Sequence, residues 1–247
     1  MKKPLLKALI FDVDGTLADT EMAHLGAFNS AFAELDLDWH WDVTLYKQLL
    51  SISGGKERIK HYMTLRNMRT IDGAALHDKI NRIHEIKTLN YERAVSEGLV
   101  NMRPGVLSLL EAARNSGLKT AIATTTSPAN VSALLGSTLG PHWRLYFDVI
   151  EDASTAEQKK PHPQVYLQTL YRLDLSGSEC LVIEDSYNGL KAATAAGLPT
   201  IITPNSFTDD HDFSGALDVV PNLANVGLDE LVNWHLQASM EKIARRA

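Results

Sequence analysis

The chain has a single cysteine, Cys180, among its 247 residues. One thiol excludes an internal disulfide and any zinc site built on cysteines. The nine histidines form no HExxH or HxxxH pair, so the helical zinc-hydrolase pattern is missing too. No apolar run approaches the roughly 20 residues of a membrane span. The start, Met1-Lys2-Lys3, leads into an apolar stretch that Lys7 interrupts and Asp12 ends, too broken for a secretory signal. There is no basic excess. Lys and Arg number 24 against 30 Asp and Glu, a net charge of −6, which argues against a nucleic-acid footprint. Internal repeats and low-complexity linkers are also lacking. What is present is an ordinary globular balance, 45% hydrophobic and 22% charged, enough for a sizeable core. The expectation is a cytoplasmic monomer with no nucleic-acid or membrane partner.

Along the chain, Ala8-Leu9-Ile10-Phe11 is a short apolar run that stops at Asp12. It reads as a buried strand feeding a polar loop. The period then changes. Leu25, Phe28, Phe32 and Leu35 are spaced 3, 4 and 3, the stripe of a helix. Leu76, Ile80 and Ile83 continue it, with one break at Ser53-Gly54-Gly55. From Arg103-Pro104-Gly105 onward, helices and strands alternate. Strands are expected at Leu118–Thr124, Phe147–Ile150, Cys180–Ile183, Thr200–Ile202 and Val219-Val220. Between them, Gly117 marks a helix stop, Ser127-Pro128 and Pro163 mark helix starts, and Arg245 and Arg246 suit a helix C-terminus. Strands alternating with helices predict an α/β fold, a parallel sheet covered on both faces. The helical stretch then reads as an insertion. This divides the chain into a core, residues 1–19 and 101–247, and a helical unit, residues 20–100.

Ligands in such sheets bind beyond the carboxyl ends of the strands, so the residue after each apolar run is the one to read. These are Asp12-Val13-Asp14-Gly15-Thr16, Thr124-Thr125-Thr126 and Glu184-Asp185-Ser186, with Lys160 in the loop before the Pro163 helix. On an extended exit Asp12 and Asp14 point the same way. Two carboxylates facing one volume repel, and a divalent cation relieves this; Mg²⁺ suits them, since it takes one or two carboxylates with waters and phosphate. Taken singly, each signal has a plain alternative. Asp12 and Asp14 could be a solvated turn, Thr124 a strand end, Lys160 a surface lysine and Asp185 a helix cap. Their conjunction at successive strand ends is what points to a site.

In that order the residues resemble the haloacid dehalogenase superfamily. Phe11-Asp12-Val13-Asp14-Gly15-Thr16-Leu17 is similar to its first motif, Thr124 to its second, Lys160 to its third and Glu184-Asp185 to its fourth. The insertion is similar to the small helical cap of the beta-phosphoglucomutase-like branch. The stretches Asp19-Thr20-Glu21-Met22-Ala23-His24, Ser53-Gly54-Gly55-Lys56-Glu57-Arg58 and Glu184-Asp185-Ser186-Tyr187-Asn188-Gly189 resemble CbbY-type sugar-bisphosphate phosphatases.

The resemblance implies a Rossmann-like three-layer core with an inserted helical cap. It implies a Mg²⁺-dependent phosphatase acting on a phosphorylated sugar, xylulose-1,5-bisphosphate. A phosphomutase is the alternative, since the same motifs serve both. Asp12 is the implied nucleophile and Asp14 the acid and base, with a raised pKa expected for the acid role. Thr124 is an implied phosphoryl ligand and Lys160 an implied second cation beside Asp12. Asp12, the Asp14 carbonyl, Glu184 and Asp185 are the implied metal shell. Ser53, Gly54, Gly55, Lys56 and Arg58 are expected to anchor a second phosphate, helped by Thr125, Thr126 and Asn188, while Glu21 binds sugar hydroxyls. His24 is either a substrate contact or a surface histidine, and Asn188 either a ligand or a helix-start residue.

Overall fold

The computed structural model describes residues 6–67 and 73–244. Met1, Lys2 and Lys3, and Arg245 and Arg246, on which two of the sequence expectations rest, lie outside the described residues. Strand β1 (Ala8–Phe11) is buried along its whole length, as a continuous apolar run without alternation requires. It pairs in parallel with β2 (Lys119–Ala123) on one side and β4 (Cys180–Glu184) on the other. With β3 (Val149–Glu151), β5 (Thr200–Ile202) and β6 (Asp218–Val219) the sheet runs in the order β3-β2-β1-β4-β5-β6, all parallel.

Alternate residues of β1 serve opposite faces, as the period of a strand dictates. Leu9 and Phe11 join a cluster with α5 (Val106–Asn115), α6 (Pro128–Leu139) and α9 (Leu228–Ala244). Ala8 and Ile10 join one with α7 (Gln164–Leu173) and α8 (Tyr187–Ala195). The chain leaves β1 for β2 and β3 on one side, then returns to β4 on the other. That switch opens a crevice beyond the carboxyl ends of β1, β2 and β4. The expected strand at Leu118–Thr124 is one residue shorter at each end and that at Cys180–Ile183 one residue longer; two others shift. The pairing of the last strand falls on Asp218–Val219, one residue early. Phe147 closes the 3₁₀ turn Trp143–Tyr146, leaving β3 to begin at Val149.

Between β1 and β2 lie α1 (Glu21–Glu34), α2 (Val43–Leu49), α3 (Gly55–Leu65) and α4 (Gly73–Ser96). They share a core of their own in which Phe28, Phe32, Trp39, Trp41, Tyr46 and Tyr62 interlock, with Phe28 and Trp41 ring centres 4.6 Å apart. The chain turns also between α1 and α2, where Asp36 takes φ 49, a break the hydrophobic spacing did not mark. Among the described residues no helix is long and apolar enough to cross a membrane.

Candidate active site

The crevice is a cavity of about 1130 Å³, walled by the strand ends on one side and by α1, α3 and α4 on the other. At its floor, β1 delivers Asp12, whose N–H donates to Ile183 O at 3.1 Å. Val13 points into the core and Asp14 returns to the cavity. Gly15 then turns the chain at φ +79; a Cβ there would come within 2.4 Å of Asp185 Oδ2. The turn needs glycine both for its dihedral and for that approach.

Lys160 is the centre of charge. Its buried ammonium donates to Asp12 Oδ1 at 2.6 Å, Glu184 Oε1 at 2.6 Å and Ala123 O at 2.9 Å, so all three donors are engaged. Burial works against the ammonium, but Asp12 and Glu184 hold its pKa above the ordinary value. Glu184 is fully engaged as well. Oε1 also accepts from Tyr166 O–H, and Oε2 accepts from the backbone N–H groups of Asp185 and Ser186 and from Ser186 Oγ. Asp185 Oδ2 accepts from Asn205 Nδ2 at 2.7 Å. The Asn205 amide is oriented by Phe207 N–H, which donates to its oxygen.

Asp12, Glu184 and Asp185 each place an oxygen within 4.8 Å of the others. Burial, and then the neighbouring carboxylates, push Asp12 and Asp185 above the usual range, more than Lys160 offsets. Three buried carboxylates against one ammonium leave negative charge uncompensated. A divalent cation fits that imbalance and that all-oxygen set.

The Asp14 carboxylate is not part of this group. It turns to His24, whose Nε2 lies 2.9 Å from Asp14 Oδ1. His24 Nδ1 in turn meets Lys87 Nζ at 2.7 Å, and the ring stacks on Tyr91 at 4.1 Å. His24 is thus buried in the wall, which overturns the surface reading, and both its nitrogens face protein. Burial and Lys87 pull the ring's pKa down more than Asp14 raises it. At neutral pH the ring therefore gives Asp14 a hydrogen bond, with the ammonium one step behind. Although burial works the other way, this arrangement holds Asp14 at about 2. The raised value expected for Asp14 is corrected: it falls on Asp12 and Asp185, and resting Asp14 is ionised.

Lys87 is itself lowered to about 8, chiefly by burial. Turnover is therefore expected to decline above about pH 8 as the ammonium is lost. Lys87→Met, measured across pH, should lack that limb and be about ten- to a hundredfold slower at neutral pH.

The remaining candidates divide. Thr124 is buried at the end of β2 and accepts from Thr126 N–H at 3.3 Å. Thr125, Thr126 and Ser127 line the cavity at the start of α6. Across from them stand Ser53, Gly54, Gly55 and Lys56. Arg58 also reaches the cavity, but its guanidinium is engaged by Leu49 O, Ile52 O and Tyr46 Oη, each at 3.2 Å. Glu21 accepts from Tyr46 O–H at 2.8 Å. Asn188 Nδ2 donates to Ser51 O and Ser53 Oγ, joining α8 to the loop before α3.

Sequence reasoning did not pick out Lys87, Asn205 or Tyr166. Lys87 had a signal, a lysine standing in the buried stripe of α4 after Ile80 and Ile83. Asn205 follows β5 at the sheet edge where the other acids were read. Tyr166 had none, because its role depends on where Glu184 ends.

Residues 6–197 match the sequence pattern of haloacid dehalogenase-like hydrolases. The plasmid-encoded CbbY protein of Cupriavidus necator is 52% identical over 220 residues, 89% of this chain and 87% of that one. CbbY from Rhodobacter sphaeroides, solved with phosphate, superposes with a TM-score of 0.85 at 40% identity, covering 92% of this chain and 99% of that one. An Asp-to-Asn mutant of it, solved with xylulose-(1,5)bisphosphate, gives 0.84 at 38% identity with the same coverage.

Proposed function

This chain belongs to the haloacid dehalogenase-like hydrolases, and we propose that it is a Mg²⁺-dependent sugar-phosphate phosphatase that removes one phosphate from a sugar bisphosphate. The observation that carries the reading is the group at the cavity floor: Asp12 held by Lys160, the metal-sized cluster with Glu184 and Asp185, and Asp14 beside them on a separate hydrogen-bond chain.

The two aspartates have different tasks. A carboxylate oxygen of Asp12 attacks phosphorus, and the bond from phosphorus to the sugar oxygen breaks. Asp14 supplies the proton that the leaving oxygen takes. It takes that proton from solvent water as the phosphate dianion enters beside it and raises its proton affinity. In the second half, Asp14 takes a proton from water, the water oxygen attacks phosphorus, and the Asp12 carboxylate is regenerated with phosphate released. Ionised Asp14 is set for this second step. The Thr124 hydroxyl and the backbone beside it hold the phosphoryl oxygens, while Lys160, its donors spent on Asp12, Glu184 and Ala123 O, lends its charge beside Asp12.

Asp12, Asp185 and the Asp14 carbonyl would hold Mg²⁺, with Glu184 bracing both Asp185 and Lys160. When bound, the ion supplies counter-charge to the transferring phosphoryl group.

Residues 20–100 act as a cap that selects the substrate over a core of residues 1–19 and 101–247. Lys56, with the backbone at Ser53-Gly54-Gly55 and the Thr125-Thr126 side, receives the phosphate that is not transferred. Xylulose-1,5-bisphosphate is the substrate this reading favours, supported by the complex of the 38% identical neighbour. The test is phosphate release from xylulose-1,5-bisphosphate, ribulose-1,5-bisphosphate, fructose-1,6-bisphosphate and beta-glucose-1-phosphate, with and without Mg²⁺. Metal-dependent release with preference for the xylulose compound is expected. Conversion of glucose-1-phosphate to glucose-6-phosphate without release would move the reading to a mutase.

A further inference from the structure

The loop that follows β5 reaches from the acid cluster to the helices above it. At its start Asn205 Nδ2 donates to Asp185 Oδ2 at 2.7 Å and more weakly to Gly15 O at 3.4 Å. Two residues on, Phe207 is buried in the aromatic core shared by α1–α4, its ring edge-on to Tyr46 with the centres 5.9 Å apart. Among the described residues it is the one member of that core from outside residues 20–100. Ser206 between the two, and Asp209 and Asp210 beyond, are exposed.

An amide has two ends, and only one suits a carboxylate. With its nitrogen toward Asp185 the Asn205 side chain donates; reversed, its oxygen would meet an anion. The Phe207 N–H decides between them. It donates to Asn205 Oδ1 at 2.8 Å and so turns the nitrogen toward Asp185. Thr208 closes the same turn, its hydroxyl accepting from Asn205 N–H at 3.0 Å. These bonds fix the loop's shape but not its place. Arg103 pins the carbonyls of Thr203 and Pro204; past that point the anchor is the phenyl ring. The loop's ion pair to α2, Lys47 with Asp209 at 2.9 Å, is open to solvent and adds little, whereas a buried ring holds firmly.

We propose that Phe207 is a positioning residue for the metal site: seated in the aromatic core of the cap, it sets the Asn205 amide against Asp185, so that metal affinity depends on how the cap packs. The inference rests on the reading of Asp12, Glu184 and Asp185 as a metal site. Phe207 touches none of these carboxylates and acts through Asn205.

The experiment is Mg²⁺ binding to the full chain without substrate, read by isothermal titration calorimetry, with Tm followed alongside. Asn205→Ala should weaken binding about ten- to a hundredfold, the usual effect of losing a partner that orients a metal's carboxylate. Phe207→Ala should weaken it about tenfold. Phe207→Leu, which keeps an apolar anchor, should recover most of that loss. Met63→Ala, which truncates another member of the same core, should lower Tm but leave Mg²⁺ affinity unchanged. The double variant tests the route: Phe207→Ala should add little to Asn205→Ala. Losses that multiply, an equal loss in Met63→Ala, or wild-type affinity in either Phe207→Ala or Asn205→Ala would overturn the assignment. A wild-type chain that binds no Mg²⁺ would instead contradict the metal reading, and the assignment with it.

Discussion

Asp12→Asn is expected to lower phosphate release by about 10⁴-fold or more, the scale on which removal of a nucleophile is felt. The fold should survive. Asparagine has nearly the same shape, and Lys160 keeps Glu184 and Ala123 O as partners. Stability should even hold or rise. Burial and Glu184 raise the Asp12 pKa in the folded chain. A carboxyl raised on folding contributes its stability at low pH, below its unfolded pKa, and loses it as pH climbs toward the folded value. Neutral pH lies above the unfolded pKa and close to the folded value of about 8, so most of that contribution is already lost there, and an amide that never has to hold a charge avoids the loss. Thermal unfolding beside a phosphate-release assay checks both halves. An inactive but destabilised variant would mean that the Lys160–Asp12 pair supports the fold more than burial opposes it.

Lys160→Met should fail in the opposite way, losing both turnover and stability. Lys160 is 5% exposed, and its ammonium bridges Asp12 and Glu184 at 2.6 Å each. Removing one partner of a buried ionic group costs about 3–5 kcal/mol, because the remaining charges stay buried and unpaired. For a chain of this size that is a fall in Tm on the order of 10 °C. The variant carries a sharper test of the metal site. With the lysine gone, a cation becomes the main counter-charge to Asp12, Glu184 and Asp185. Added Mg²⁺ should therefore raise the Tm of Lys160→Met more than that of the wild type. A variant within a degree or two of the wild type, indifferent to Mg²⁺, would contradict the charge balance derived for the cavity floor.

What could be read from the chain and what could not follow different physics. The strand ends were legible because a buried parallel strand is an unbroken apolar run. The first polar residue after it, as at Asp12, Thr124 and the Glu184-Asp185 pair, must then sit at the sheet's edge. Spacing by two placed Asp12 and Asp14 on one side. It could not show that they face different partners. That division depends on His24 and Lys87, which lie 63 residues apart and meet only when α1 packs on α4. The expected rise in the Asp14 pKa failed for this reason. Arg58 shows the limit from the other side. As a cation beside a glycine pair it reads as an anion ligand, but two carbonyls and a tyrosine hydroxyl engage its fork. Asn205 was legible in principle, standing after a strand end, but an asparagine is not distinctive there without its neighbour in space.

The central claim is that the phosphoryl group passes through Asp12, and chemical trapping tests it most directly. The wild-type chain would be quenched in acid during turnover of its best sugar phosphate and reduced with borohydride, which converts an aspartyl phosphate to homoserine. Peptide mass spectrometry then locates the change. Homoserine at position 12, dependent on substrate and absent from Asp12→Asn, is the predicted result. Brisk phosphate release with Asp12 unmodified, or with the change at another carboxylate, would contradict the account.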